Sequence, residues 1–379
     1  MIFLFWCLLL PALGYGLLFA SAGRIWSRWK KPLPPKVHEQ APLSIAVVAA
    51  FRNEEDRLPA LLRWWHGLDT QGYEVRFVLA DDHSNDRSAQ IIRQFQQEHP
   101  EMPLSLVVPD AGAQGKKAAL TAAIRAGEAD VCLLTDADSH GGSAWLQLMA
   151  DTLLREQRKM VCGPVALEQG SSFLRRFQAL EHAGLVVFGA VTLRLGKPTM
   201  CNGASLMFYR DVWEALGAYE AHRHLPGGDD ELLMRAVAAK HPGSVGFCRH
   251  PEALVHTAPA ADMMAFLMQR LRWSSKGSMQ GPAVRMFRSA LVLWYAALLG
   301  VLPLLFFEDL PECAMILGAW LLKLLAECYY FKRITPFFGM DFRSSELLSF
   351  QLFQTGYPVL IALARMLRLR FHWKGRVYG

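Results

Sequence analysis

At 379 residues, with 52% hydrophobic residues and a positive mean hydropathy, the chain holds more apolar sequence than a wholly soluble protein needs, so membrane segments are expected beside one large or two ordinary domains. The formal net charge of +6 comes from basic residues clustered beside apolar stretches and without any nucleic-acid-binding signature. Anionic lipid headgroups and phosphates therefore explain the charge better than nucleic acid does, and no nucleic-acid partner is expected. The seven cysteines form no C-x-x-C pair, which excludes a cysteine-based zinc site and leaves reduced, mostly buried thiols.

Residues 2–20 are almost uninterruptedly apolar and uncharged, enough to cross a hydrocarbon core about 30 Å thick. The basic "RIWSRWKKPLPPK" that follows places the next domain in the cytoplasm and the amino terminus outside. A secretory signal would carry its positive charge before the apolar region, so cleavage at Ala20-Ser21-Ala22 is the lesser alternative. "KPLPPK" cannot continue a helix and reads as a stiff spacer. The expected organisation is therefore a transmembrane helix over 1–22 and a basic, proline-rich linker over 23–41.

From residue 42 to about 255, short apolar runs alternate with amphipathic stretches, the pattern of repeated βα units and a mostly parallel sheet. "LSIAVVAAF" reads as a buried strand. The "RNEEDRLPALLRWWHGL" after it reads as a helix that Asn53 caps, burying Leu58, Leu61, Leu62 and Trp65. "YEVRFVLADDHSNDRSAQIIRQF" repeats the plan, with a strand over residues 75–80, a polar loop and a helix that buries Ile91, Ile92 and Phe95. "LSLVVPD" supplies a third strand. In "GAQGKKAALTAAIRAG" Lys116 or Lys117 opens an alanine-rich helix, a place suited to phosphate, although this G-x-x-G-K-K lacks the form of a P-loop.

"VCLLTDADSHGG" ends a fourth strand, read over residues 131–134, in two carboxylates. In open α/β sheets the ligand crevice lies outside the carboxyl ends of the strands, where Asp136 and Asp138 would stand together. Two ionised carboxylates so close call for a cation, and hard oxygen donors suit Mg²⁺ or Mn²⁺. A D-x-D alone is equally well a turn or a helix cap; three strands with carboxylates just past their ends argue for a shared site instead. Farther on, "LPGGDDELLMRAV" sets Asp229 and Asp230 before a helix, one as a cap and the other as a candidate general base. "FLMQRLRWSSKG" is an amphipathic helix with Gln269, Arg272 and Trp273 on one face, where Arg and Trp form a platform for a sugar and a phosphate or lie on a membrane surface.

In order, these motifs resemble those of the membrane-bound glycosyltransferases of family 2 with a GT-A fold. "AFRNEEDRL", with Asn53 and Glu54, is similar to their first nucleotide-binding loop, and "LADDHSND" to the loop that reads the nucleoside. "TDAD" resembles the D-x-D, "CNGAS" the acceptor-side turn, "GGDDELL" the (E/D)-D catalytic motif and "QRLRW" Q-x-x-R-W. The resemblance implies an α/β GT-A domain with amino- and carboxyl-terminal transmembrane helices, and an inverting transfer from a nucleotide sugar, a UDP-sugar above all. Carried over, it gives Asp82 the uridine and Asp136 and Asp138 the diphosphate and its Mg²⁺ or Mn²⁺. Asp230 becomes the general base, Gln269, Arg272 and Trp273 hold the diphosphate and donor channel, and Lys116 helps hold the donor.

The GT-A domain is expected over 42–265 and an amphipathic interface helix over 266–286. A carboxyl-terminal membrane region over 287–379 would begin with two spans, "ALVLWYAALLGVLPLLFF" and "CAMILGAWLLKLLAECYYF". A third apolar stretch, 347–366, precedes the basic tail "RLRFHWKGRVYG"; a crossing there would expel positive charge, so an interfacial or re-entrant segment is expected. The sum is an integral protein of a bacterial inner membrane with a cytoplasmic catalytic domain and a lipid or glycan acceptor, similar in size to ceramide glucosyltransferases. A processive polysaccharide synthase and a non-catalytic membrane sensor of sugar nucleotides are the alternatives; a metal-dependent nucleotidyltransferase is a weaker one.

Overall fold

The computed structural model describes residues 2–30, 43–110, 112–217, 219, 229–275, 281–307, 309–369, 371–373 and 376–378. The proline-rich spacer and the Gly227-Gly228 pair before the Asp-Asp motif lie outside them. Two compact units emerge: a helical one of Met1–Trp29, Gly170–Gly184 and Ala260–Gly379, and a globular one of Lys30–Gln169 and Leu185–Pro259. Residues 170–184 and 260–265, read from the sequence as part of the GT-A domain, thus group with the helices.

The helical unit begins with α1 (Ile2–Arg28), which continues past the expected end at residue 22 because no breaker interrupts "GRIWSR". In the globular unit follow β1 (Ser44–Phe51), α2 (Leu58–His66), β2 (Glu74–Asp81), α3 (Ser88–Glu98), β3 (Leu104–Val107), α4 (Lys116–Gly127) and β4 (Val131–Asp136). Next come β5 (Ser139–Gly141), α5 (Trp145–Arg155), β6 (Met160–Cys162) and β7 (Val165–Leu167). After α6 (Phe173–Arg194) stand β8 (Leu206–Tyr209), α7 (Arg210–Ala215), α8 (Glu231–Lys240), β9 (Val245–Phe247) and β10 (Val255–Thr257).

The main sheet has the order β3-β2-β1-β4-β8-β6-β9. β1 pairs in parallel with β2 on one side and β4 on the other, and β2 with β3. β8 runs antiparallel to both its neighbours. After Ser44, β1 is apolar because both its faces are covered, and six of its residues are wholly or almost wholly buried. Leu58, Leu61, Leu62 and Trp65 of α2 fill one side of this core, as their spacing predicts. On α3, Ile92 is buried while Ile91 and Phe95 pack at its margin. α4 crosses so close to β1 that a Cβ on Gly127 would stand 2.6 Å from the Ala46 Cβ, so only glycine fits there. Because β2 and β3 lie on one side of β1 and β4 on the other, the strand order reverses at the β1–β4 junction, the place where such sheets bind ligands.

The helical unit adds α9 (Met263–Ser274), α10 (Pro282–Gly300), α11 (Leu310–Ile334) and α12 (Ser344–Met366), then the short strands β11 (Phe371–Trp373) and β12 (Arg376–Tyr378). Among the described residues four helical stretches are long and apolar enough to cross a membrane: Trp6–Arg28, Val284–Phe306, Pro311–Phe338 and Ser344–Met366. The last is one continuous helix. It runs beside the first half of α6, with Arg176 paired to Glu346, Phe177 and Phe353 rings 4.7 Å apart, and the Tyr357 hydroxyl donating to Glu181. Between α1, α11 and α12 lies a wholly buried ion pair, Lys323 with Glu327 at 2.8 Å. Tyr15 Oη and Gln351 Nε2 each donate to this Glu327 carboxylate at 2.6 Å, and Lys323 Nζ donates to Gln351 Oε1 at 2.9 Å.

Candidate active site

The loops that leave β1 and β2 are laced together. Asn53 adopts the left-handed backbone region at φ +52°. Its N–H donates to Ser84 Oγ and its Oδ1 accepts from the Asn85 N–H, each at 2.9 Å. Asn53 therefore does not cap α2, which begins at Leu58 with Arg57 in the N-cap position and no side-chain cap; the amide is engaged by the neighbouring loop. The buried Glu54 has its N–H bound by Ser88 Oγ at 2.9 Å and its carboxylate 3.4 Å from Arg57.

Asp82, just past β2, is buried, and its Oδ1 accepts from the Gly115 N–H at 2.7 Å. Gly115 stands at φ +100°, ψ 161°, a conformation that belongs to glycine, and so turns the chain into α4 at Lys116. From that helix start Lys116 Nζ reaches Asp136 Oδ1 at 2.7 Å and Asp229 Oδ2 at 3.2 Å. Burial opposes its charge, but Asp136, Asp229 and Asp230 outweigh burial and hold the ammonium above the ordinary lysine range. Of the lysine pair, Lys116 is the one that faces the carboxylates.

Asp138 stands 3.4 Å from Arg57. Burial chiefly, then the charge of Asp136, raises its pKa above the usual carboxylate value, and Arg57 offsets this only in part. Asp230 is the N-cap of α8: its Oδ1 accepts from the Glu231 N–H at 2.7 Å, and its Oδ2 from the Gly203 N–H at 3.1 Å. Gly203 belongs to "CNGAS", so the turn before β8 fixes the carboxylate. The sheet thus brings Asp136, Lys116, Asp229, Asp230 and Gly203 together, with Asp138, Glu54 and Arg57 adjoining.

Arg57 and Tyr219 were not singled out in the sequence. Arg57 lies within "RNEEDRL", and a cation that closes an acidic loop ahead of a D-x-D is the signal that would have found it. Tyr219 is buried against Trp213, and burial, then Asp229, raises its pKa well above the usual phenol value. No local pattern marks it.

Gln269, Arg272 and Trp273 lie on α9 of the helical unit. A guanidinium that stacks on Trp273 is that of Arg270, three residues before it and 4.3 Å from the ring centroid. Consecutive residues point about 100° apart around a helix, whereas residues three apart are neighbours. Arg270 also lies 4.4 Å over Phe266, pairs with Glu181 and donates to Gln269 Oε1 at 2.7 Å. His182 faces Trp273 at 6.4 Å.

The residues present suit a hard divalent ion. Their donors are carboxylate oxygens, and after burial it is the neighbouring Asp136 charge that raises the pKa of Asp138, a repulsion that a bound cation would relieve. On either side of the D-x-D, Thr135 and Ser139 bury hydroxyl oxygens that have no partner.

A mixed sheet with a D-x-D at the carboxyl end of β4 and an Asp-capped helix across the rim is the GT-A arrangement of nucleotide-sugar transferases. A mannosyltransferase from Pyrobaculum calidifontis, solved in complex with GDP-Man and Mn²⁺, shares this fold with a TM-score of 0.57 at 16% identity, over 97% of this chain and 99% of that one. The chain belongs to glycosyl transferase family 21, whose model matches residues 4–379. It is 26% identical over 196 residues to an undecaprenyl-phosphate 4-deoxy-4-formamido-L-arabinose transferase of Edwardsiella ictaluri, covering 51% of this chain and 58% of that relative. It is 27% identical over 276 residues to a beta-monoglucosyldiacylglycerol synthase of Synechocystis, covering 69% and 54%. The chain spans little more than half the length of these curated relatives.

Proposed function

We propose that the protein is an inverting glycosyltransferase that moves a sugar from a nucleoside-diphosphate donor, a UDP-sugar, to a membrane lipid, with Asp230 as general base. The observation that carries this reading is the convergence on one rim of Lys116, Asp136 and Asp229 with an Asp230 held by the Gly203 N–H. The relatives' activities toward an undecaprenyl phosphate and a diacylglycerol glycolipid support a lipid acceptor.

In this mechanism Asp136 and Asp138 hold Mg²⁺ or Mn²⁺, which supplies positive charge against the leaving diphosphate. Asp82 and the β1 loop with Asn53 and Glu54 bind the nucleoside; Lys116 keeps Asp136 and Asp229 in register and adds charge toward the phosphates. Asp230 takes the proton of the acceptor hydroxyl as its oxygen bonds to the anomeric carbon, while the bond from that carbon to the diphosphate breaks. One in-line displacement inverts the centre and releases a nucleoside diphosphate. The resemblance gives Gln269, Arg272 and Trp273 of the helical unit a role toward the diphosphate and donor channel, and within that unit Arg270 stacks on Trp273.

The test is to incubate the protein in lipid with radiolabelled sugar nucleotides, Mg²⁺ or Mn²⁺ and total membrane lipids, and to separate the products. A labelled lipid carrying one sugar or a few is expected. A ladder of polymer would replace this reading with a processive synthase, and donor binding without transfer would replace it with a sensor.

A further inference from the structure

His66, the last residue of α2, His99, the C-cap of α3, and Glu101 meet on the surface of the globular unit. His66 Nε2 and His99 Nδ1 lie 3.1 and 3.3 Å from the same Glu101 Oε1. One ligand atom from each of the three residues falls within 4.8 Å of the others, and this is the group of its kind among the described residues. Two ligands of a tetrahedral ion, each about 2.0–2.1 Å from it, stand roughly 3.3 Å apart, so each histidine already has near-coordination spacing to the carboxylate.

Two features make the place suit a cation rather than a chance encounter of side chains. Both histidines sit at helix carboxyl ends, where the partial negative charge of the last carbonyls favours positive charge. Phe95 packs on both rings, 4.4 Å from His99 and 6.2 Å from His66, and restricts their rotation. The chemistry also differs from that of the active site: two imidazole nitrogens and one carboxylate oxygen form a borderline donor set for Zn²⁺ and its neighbours, whereas the D-x-D offers oxygen alone.

Topology separates the two places. α2 leaves the carboxyl end of β1 and α3 that of β2, so their own carboxyl ends return toward the amino ends of the strands, away from the carboxylate rim. We propose that His66, His99 and Glu101 form a second metal site of the Zn²⁺ type, with three protein ligands and a water, that clips the end of α2 to the end of α3. It holds the two helices whose leading loops carry Asn53, Glu54 and Asp82, so its role is positional and not catalytic.

The experiment uses the full chain in detergent micelles, carrying a purification tag without histidine, stripped of metal and then titrated with Zn²⁺ against a chromogenic chelator in excess Mg²⁺. The chain should take up one more Zn²⁺ than the His66→Ala/His99→Ala double variant, and Asp138→Asn should keep that equivalent. Glu101→Gln, at a side chain 62% exposed and therefore tolerant of change, should weaken it about tenfold or more. With Cu²⁺ in place of Zn²⁺, electron paramagnetic resonance should show coupling to two nitrogens that the double variant lacks. Equal Zn²⁺ uptake by the unsubstituted chain and the double variant, or a Cu²⁺ signal without nitrogen coupling, overturns the site.

Discussion

At Asp138 burial and the neighbouring Asp136 both disfavour the charged carboxylate, and Arg57 offsets them only in part. The folded state therefore binds this proton more tightly than the unfolded chain does. The resulting stabilisation is fully present below the unfolded pKa and is lost as pH rises through the raised folded pKa. Asp138→Asn removes the charge and should raise the Tm at neutral pH in EDTA, read by thermal unfolding, while abolishing metal-dependent donor binding. A lower Tm in EDTA would show the carboxylate to be well compensated. By the same sign, Mn²⁺-dependent donor binding by the unsubstituted protein should weaken as pH falls into the raised range of Asp138, at a higher pH than an ordinary carboxylate would give; titration calorimetry along a pH series checks this.

Asp230 is held by geometry, its carboxylate fixed by two backbone N–H donors. Asp230→Asn keeps the acceptor oxygen for one of them and removes the proton-accepting charge. Transfer should fall by about 10²–10⁴-fold or more while donor Kd changes little; turnover near normal would pass the role to Asp229. The sequence already contained these acids, because short apolar runs ending in Asp mark strand ends. It did not contain their partners. That Asp82 binds the Gly115 N–H, or that Arg57 faces Asp138, depends on which strands lie side by side, and no local period encodes that.

Among the elements, the βα units were legible because strand and helix carry different hydrophobic periods, and the burial of Leu58, Leu61, Leu62 and Trp65 follows from theirs. α6 was not, since its first half joins the helical unit and its second half the globular one, a division that a single amphipathic pattern does not mark. In the helical unit, Glu327 answers Lys323, Tyr15 and Gln351 at once. Glu327→Ala would leave a wholly buried ammonium without its counter-charge, and should cost about 3–5 kcal/mol of stability in micelles. Replacing both residues, Lys323→Met with Glu327→Leu, should recover most of that loss in the same denaturation assay.

At the scale of the whole molecule, the question is on which side of the membrane the chain leaves α12. The helix is long and apolar enough to span. Yet it runs along α6 and α9, its Tyr357 ring 5.3 Å from Phe266, and β11 beyond it neighbours α9, which precedes α10 in the chain. α12 also packs on α10, itself long and apolar enough to span, so it is the basic residues after α12 that carry the proposal of an interfacial helix with its tail on the cytoplasmic face. A tag after Gly379 should therefore resist external protease in intact cells, and its cleavage would make α12 a true span.

β8 is the strand of the main sheet that runs against its neighbours, and that reversal divides the rim. The chain leaves β1, β2 and β4 there but enters β8 there, with Leu206 beside Leu134 and the turn of Gly203 just ahead. The two sides are thus written in different stretches of the gene: residues 52–57, 82–88 and 115–138 on one, residues 201–205 and 229–230 on the other. On the proposed function, exchanging the second set between relatives should change what receives the sugar and leave untouched which sugar is given, which would let the two preferences be inherited apart.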